Sequence, residues 1–360
     1  PYCFTKFGNI HMKSRLESVE FYINHTCNFG CTGCNRFNNY LFTGYQKWAD
    51  YADIYKKWSE KLDINHWAIL GGEPTLNKDL VLYIRGLREL WPDSKATLTT
   101  NGSFHKRFDT ELYEAVLDTG IIVNIGLHNT HRRDEVLQML KSWLIHPIKV
   151  RRSPDDLNNL PGFRENWRNS YNLIRDSSWP DCNSVDDWDD LPNYIQTECT
   201  TIHNFSPDIL AEDRKNYQII DANGVNVRIQ LENFFYQSAL IEKPETKTFT
   251  LHNSNREQAH DVCPSRECHH MMDGKLSKCG QSVLFQEFDK QFQIDLSTED
   301  RKLMMSHQPC SADDDVDLFV SNIKKSIPQC KLCPDVLIQE EIFSVINKNK
   351  FGTKTPRIKL

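Results

Sequence analysis

Between residues 19 and 150, short apolar runs alternate with amphipathic stretches. VEFYIN (19–24) is apolar and β-rich and reads as a strand. YQKWADYADIYKKWSEK (45–61) carries aromatic and aliphatic residues at three- and four-residue spacing, which predicts a helix. HWAIL (66–70) has the pattern of a buried strand; 77–91 predicts a helix with Asn77 as candidate N-cap and Pro92 past its end. KATLTT (95–100) and IIVNIGL (121–127) predict strands, 109–119 and 132–144 helices, and IKV (148–150) one strand more. This alternation predicts βα units around a parallel sheet.

The pattern then changes. Residues 151–205 are polar, with Pro154, Pro161, Pro180 and Pro192 and an acidic DDWDD at 186–190. They read as a solvated insertion, with a substrate-covering lid as the alternative. Residues 206–219 predict a helix, and VNVRIQL (225–231) the last strand of the barrel. Past about residue 235 come short strands and cysteines, so a domain boundary is expected there, and NKNKFGTKTPRIKL reads as a basic tail.

In parallel α/β folds the chemistry gathers at the carboxyl ends of the strands. TCNFGCTGC (26–34), GGEP (71–74) and TTNG (99–102) each follow a predicted strand, so one rim is expected to carry all three.

Composition narrows the classes. The 360 residues can bury a large core, and the net charge of −6 argues against a general nucleic-acid surface. No apolar run reaches the length of a membrane span, and the first residues lack a secretory pattern, so a cytoplasmic protein is expected. Twelve cysteines are many for a reducing compartment, where metal binding or catalysis is the better default than disulfides. Cys27, Cys31 and Cys34 form one set with C-x3-C-x2-C spacing, which chance would produce in roughly one such chain in a hundred.

Three thiolates on a four-iron cluster leave one iron open, whereas four saturate it. Gly30 and Gly33 permit the loop conformations that wrapping one cluster needs. A zinc knuckle completed by a distant ligand such as His25 is the rival, although zinc ligands usually pair as C-x2-C or C-x4-C.

The cysteine motif after a first strand resembles the radical S-adenosylmethionine (SAM) enzymes, clearly over residues 19 to about 150 and loosely to about 235. The resemblance implies an α/β fold: a partial (β/α)6 TIM-like barrel. It implies that Cys27, Cys31 and Cys34 hold a [4Fe–4S] cluster whose open iron chelates the amino and carboxylate groups of SAM. Reductive cleavage of SAM then yields a 5′-deoxyadenosyl radical that abstracts a hydrogen atom from substrate. GGEP matches the family's second motif: Glu73 offers a carboxylate to the amino group, Gly71 and Gly72 allow close backbone approach, and Pro74 stiffens the turn. Thr100 and Asn101 are candidates for the SAM ribose or carboxylate, with an ordinary turn as the alternative. His128 and Asn129 end a strand that often faces substrate, or form a surface turn. Gly33 departs from the pattern, since many members carry a bulkier residue there, beside the adenine; Phe37 is the candidate to replace it.

The late cysteines form a second set. CHHMMDGKLSKC predicts a hairpin turning at Asp273-Gly274, and Cys330 and Cys333 follow at C-x2-C spacing. This resembles the "twitch" form of the SPASM extension, a small C-terminal β-hairpin/α domain. The resemblance implies an auxiliary [4Fe–4S] cluster on Cys263, Cys279, Cys330 and Cys333, with Cys268 or Cys310 as substitutes. Four protein ligands favour electron transfer over substrate coordination. A zinc site using His269 or His270 is the rival.

The expected organisation is an extension (1–18), a radical SAM barrel (19–235) with the insertion at about 151–205, an auxiliary domain (236–345) and a tail (346–360). The expected activity is hydrogen-atom abstraction in the oxidation or modification of a peptide side chain or a small alcohol or sugar. The family implies an electron donor such as a flavodoxin or ferredoxin. Only 26 residues precede Cys27, which weakens the peptide reading. The His131-Arg132-Arg133 run and the tail could instead meet a nucleotide phosphate, with solvated charge as the plainer reading. Cys182 and Cys199 are candidate hydrogen donors, though isolated cysteines are usually small buried hydrophobes. A non-catalytic iron–sulfur or zinc scaffold is the reading from a different class.

Overall fold

A computed structural model describes residues 13–31, 33–40, 42–127, 133–152, 199–202, 217–230, 234–236, 239–243, 245–246, 248–263, 266–336 and 339–341. The chain divides into two compact units, Pro1–Thr97 with Phe234–Leu360, and Leu98–Asn233. Among the described residues no helix is long and apolar enough to cross a membrane.

The first unit begins with β1 (Ser14–Tyr22), α1 (Trp48–Lys61) and β2 (Leu62–Leu70). β1 and β2 pair in parallel, with Tyr22 opposite Leu70, so the loops that leave them emerge side by side. A 3-10 turn (Pro74–Leu76) and α2 (Leu80–Leu90) follow. Asn77, expected to cap this helix, lies one turn earlier, and its Oδ1 accepts from Asp79 N at 2.9 Å. β3 (Lys95–Thr100) carries the chain into the second unit.

β1 is longer than the apolar VEFYIN, and its two faces differ. Phe21 packs against Tyr55 and Trp91 at ring distances of 5.4 and 5.6 Å. The alternate positions Ser18, Glu20 and Tyr22 turn the other way, as the period of two requires. There Ser18 Oγ lies 3.0 Å from His66 Nδ1, and Glu20 pairs with Arg36. Phe21→Ala, which empties the apolar face at a fully buried position, is expected to cost about 3–5 kcal/mol and to lower the thermal midpoint.

The C-terminal part of this unit joins the same sheet. β12 (Cys268–Met272) pairs in parallel with β1, and β13 (Lys275–Ser277) folds back on β12, giving the order β13-β12-β1-β2. The turn falls at Asp273 and Gly274, whose φ values of 51° and 70° are those of a type I′ hairpin. Trp58 Nε1 donates to Gly274 O at 2.9 Å, and Gln46 and Tyr51 donate to Asp273, so the turn is held on α1. Two small pairs are also described in this unit, β10 (Leu240–Lys243) with β11 (Thr248–Leu251) and β9 (Phe234–Tyr236) with β14 (Gln339–Glu341). Its helices here are α5 (Arg256–Val262), α6 (Gly280–Phe292), α7 (Thr298–Met305) and α8 (Val316–Ile323), with a 3-10 turn at Pro328–Leu332. α6 closes an aromatic core in which Phe288 meets Phe249 at 4.9 Å and Phe292 at 4.7 Å.

The second unit holds α3 (Thr110–Thr119), β4 (Ile122–Gly126), α4 (Arg133–Trp143), β5 (Ile148–Arg152), β6 (Cys199–Ile202), β7 (Tyr217–Ile220) and β8 (Asn226–Gln230). Strand order is β4-β8-β7-β5-β6, parallel at β4/β8 and antiparallel beyond. Two expectations are corrected. IKV opens an antiparallel strand, and 217–219 belong to a strand rather than a helix. A tight turn explains the second: Asp221 Oδ1 accepts from Asn223 N and Val225 N, both at 2.9 Å, and returns the chain directly onto β8.

Candidate functional site

The loop after β1 is tied down before its first cysteine. Asn24 Nδ2 donates to Thr26 O at 2.7 Å and to Glu73 O at 3.0 Å. Gly72 N and Glu73 N donate to Asn24 O and Thr26 O at 2.7 and 2.8 Å. GGEP is therefore a strap laid against residues 24–26. The space is full: a Cβ on Gly71 would sit 2.4 Å from Asn24 O, and one on Gly72 2.2 Å from Thr26 O. The close approach inferred for these glycines is made by the chain's own backbone. Gly72→Ala must move that backbone and is expected to destabilise the protein by about 1–3 kcal/mol, measurable as a lower unfolding midpoint.

Cys27, Cys31 and Cys34 pack together with Phe29, which is 3% exposed. Phe29 N donates to Cys27 Sγ at 3.4 Å, and Cys34 Sγ lies 3.8 Å from Asn38 Oδ1. Asn38 Nδ2 in turn donates to His25 O. Gly33, between the second and third cysteines, has φ 69°, a conformation that disfavours the bulkier residues expected there. Phe37, the alternative for adenine packing, is 1% exposed and buried against Phe285 and Phe288, in the aromatic core under α6. The His25 ring packs on Tyr22 and Phe42.

Burial pushes the Cys27 thiol well up, and the nearby Glu73 carboxylate and the Cys34 and Cys31 sulfurs push it further; the Phe29 N–H works the other way. Burial likewise raises Cys34. Three thiols and a carboxylate crowded into one apolar spot ionise together only if positive charge is supplied, and a metal centre supplies it. Glu73 is 1% exposed, and its Oε1 accepts from Thr75 N at 3.0 Å. Part of its carboxylate thus caps the turn that holds the strap.

The second set converges as well. Burial and repulsion from the Cys279, Cys263 and Cys330 sulfurs push the Cys333 thiol up. Cys263 ends α5, Cys279 caps α6, and Cys330 and Cys333 bracket the last turn of the 3-10 segment. Ser254 N donates to Lys331 O at 2.9 Å, which joins the start of α5 to that segment. The two remaining late cysteines lie elsewhere. Cys268 Sγ sits 3.6 Å from Ser18 Oγ and is pushed up by burial and by Glu20. Cys310 pairs its backbone with Leu276, and burial and Asp314 push its thiol up to about 11. His269 Nδ1 lies 2.8 Å from Lys278 O; His270 lies 3.8 Å from Glu20. None of the cysteines of these two sets, nor Cys268 or Cys310, is in a disulfide. Among the described residues no three His, Cys, Asp or Glu side chains converge closely enough to hold a single metal ion. Ligands of an iron–sulfur cluster sit on separate irons and need not converge on one point.

The two cysteine loops touch. Gln281 Nε2 donates to Asn35 O at 2.7 Å. Arg36 lies over Gly280, where a Cβ would come within 2.1 Å of Nη1. Burial alone would raise the Glu20 carboxyl, but the Arg36 guanidinium and His270 hold it at about 2. Glu20, Arg36 and the buried Lys278 are site neighbours that sequence reasoning missed. A carboxylate inside an apolar strand and basic residues within two positions of a motif cysteine were the available signals.

Thr100 and Asn101 lie in the second unit. Their side chains close their own turn: Gly102 N donates to Thr100 Oγ1 at 3.0 Å and Ser103 N to Asn101 Oδ1 at 2.9 Å. Cys199 starts β6 opposite Arg151. Cys182, His128, Asn129, His131 and Arg132 lie outside the described residues.

Curated relatives include a probable GTP 3′,8-cyclase of Saccharolobus solfataricus, 35% identical over 153 residues, covering 38% of this chain and 47% of that protein. A GTP 3′,8-cyclase of Nautilia profundicola is 28% identical over 105 residues, covering 29% of this chain and 33% of that protein. The chain thus spans about half the length or less of these relatives. Among solved structures, Streptococcus suis SuiB is 20% identical, covering 36% of this chain and 31% of that chain with a TM-score of 0.29. BtrN in complex with AdoMet and 2-DOIA is 25% identical, covering 35% and 52% with a TM-score of 0.28. The model of the Radical SAM superfamily, whose members use a [4Fe–4S] cluster and SAM, matches residues 21–153. That stretch contains both the cysteine loop and its strap, and through it the chain carries a radical SAM domain.

Proposed function

We propose that this chain is a radical SAM enzyme in which Cys27, Cys31 and Cys34 hold the [4Fe–4S] cluster. Glu73 and the strap at Gly71, Gly72 and Pro74 are assigned to SAM binding, with Thr100 and Asn101 as further contacts. The observation that carries this reading is the packing of three thiols against Phe29, with the Glu73 carboxylate beside Cys27. When bound, the cluster and SAM supply a 5′-deoxyadenosyl radical able to take a hydrogen atom from a C–H bond. The chain's own part is positional. Asn24 and the strap fix the start of the loop, Phe29 lines the thiols with apolar surface, and Glu73 offers negative charge to a cationic amino group.

Residues 19–235 are assigned to the radical SAM barrel and 236–345 to an auxiliary domain in which Cys263, Cys279, Cys330 and Cys333 hold a second [4Fe–4S] cluster. The convergence of these four thiols, with Cys268 and Cys310 engaged elsewhere, supports that ligand set. A closed cluster of this kind supplies a one-electron acceptor, which suits the net oxidation of a peptide side chain or a small alcohol or sugar. A flavodoxin or ferredoxin is the expected external donor.

A nucleotide substrate is the second reading, favoured by the names of the curated relatives. Incubating anaerobic, reduced protein with SAM and GTP separates the two. Consumption of GTP in step with 5′-deoxyadenosine would support the nucleotide; 5′-deoxyadenosine formed with GTP intact would support another substrate.

A further inference from the structure

We propose that Lys278 is the built-in counter-ion of the metal–sulfur group on Cys263, Cys279, Cys330 and Cys333, and that its charge sets how readily this group takes up an electron. The proposal rests on the four-cysteine reading given above.

Lys278 follows β13 and immediately precedes Cys279, and it is 2% exposed. Its Nζ donates to Arg266 O at 3.0 Å and to Ile323 O, and lies 3.2 Å from His260 Nε2. All three partners are neutral acceptors. His260 is kept neutral first by burial and then by the positive charges of Lys278 and Arg266. These partners satisfy the ammonium protons without cancelling its charge, and a buried charge left uncompensated is costly. Among the described residues no carboxylate pairs with Lys278. Glu267 is exposed and pairs with Arg266 at 3.7 Å.

The compensating charge is sulfur. Lys278 directly precedes Cys279 in the chain, and the partners of its Nζ flank Cys263: His260 lies in α5, which ends at Cys263, and Arg266 N donates to Cys263 O at 3.4 Å. Ile323 O, at the C-terminal end of α8, offers the lysine only a partial negative charge. With four thiolates around a metal–sulfur core, the lysine faces a net negative group. Reduction of such a group by one electron adds negative charge without making or breaking a bond. A fixed positive charge nearby stabilises the reduced form more than the oxidised one.

The test uses the full chain with Cys27, Cys31 and Cys34 replaced by Ala, reconstituted anaerobically so that only the second site carries iron. Its midpoint potential is read by EPR during titration with dithionite, for Lys278 and for Lys278→Gln, Lys278→Met and Lys278→Arg. The two neutral variants are expected to lower the reduction equilibrium constant at least about tenfold, or about 59 mV for one electron. Lys278→Arg should stay near the parent value. Using two neutral side chains of different shape keeps the test open if one of them does not fold. Iron present with an unchanged potential in a neutral variant overturns the counter-ion alone, as does an equal fall in Lys278→Arg. No iron in the parent background overturns the four-cysteine reading, and the counter-ion with it.

Discussion

Replacing Cys27, Cys31 and Cys34 together by alanine is expected to abolish reductive cleavage of SAM, leaving 5′-deoxyadenosine at the uncatalysed background. Enzymes accelerate their reactions by on the order of a million-fold or more, so nothing measurable should survive loss of the group that delivers the electron. The same variant should lose about four irons per chain, the content of one cubane. The fold should persist. Three small side chains in the loop after β1 are removed, while the anchors before them remain, Asn24 to Thr26 and Glu73 and the strap to residues 24–26. Circular dichroism close to wild type, together with lost iron and lost cleavage, is therefore the expected combination. Cleavage retained by the triple variant would remove the loop from the chemistry.

The second large effect concerns the other cysteine set. Cys330→Ala with Cys333→Ala should bring the iron content from about eight to about four per chain and spare SAM cleavage, while stopping turnover of the true substrate. In the proposed reading, cleavage draws on the loop after β1 and the SAM-binding residues, not on the second cysteine set. That loop touches the second set through Asn35 with Gln281 and Arg36 with Gly280, and neither contact involves Cys330 or Cys333. Wild-type iron near four, or cleavage lost along with the second site, would contradict the division of labour. Iron determination and 5′-deoxyadenosine measured on the same preparation distinguish the two.

Much of this was legible before the structure. Alternating apolar and amphipathic runs predicted α1 to α4 and the strands between them, because periods of 3.6 and 2 are visible in a single sequence. Asp273-Gly274 marked the hairpin because both positions need positive φ, which that pair tolerates. Other features left no local trace. Strand direction is not a property of periodicity, so nothing in IKV announced an antiparallel strand. The parallel pairing of β12 on β1 joins residues about 250 positions apart and is set by long-range packing. VEFYIN read simply as apolar, and its polar face shows only in the fold, where Arg36 and His270 meet Glu20. Gly33 was a departure from the family pattern, and its backbone conformation now accounts for it. Gly71 and Gly72 were read as allowing close backbone approach; the approach the structure shows is that of Asn24 to Thr26, which only the register of β1 and β2 could supply.

Purified anaerobically, reduced with dithionite and given SAM, the wild-type chain should release 5′-deoxyadenosine and carry about eight irons. Zinc in place of iron, with SAM left intact, would contradict the reading of Cys27, Cys31 and Cys34 as the ligands of a SAM-cleaving cluster.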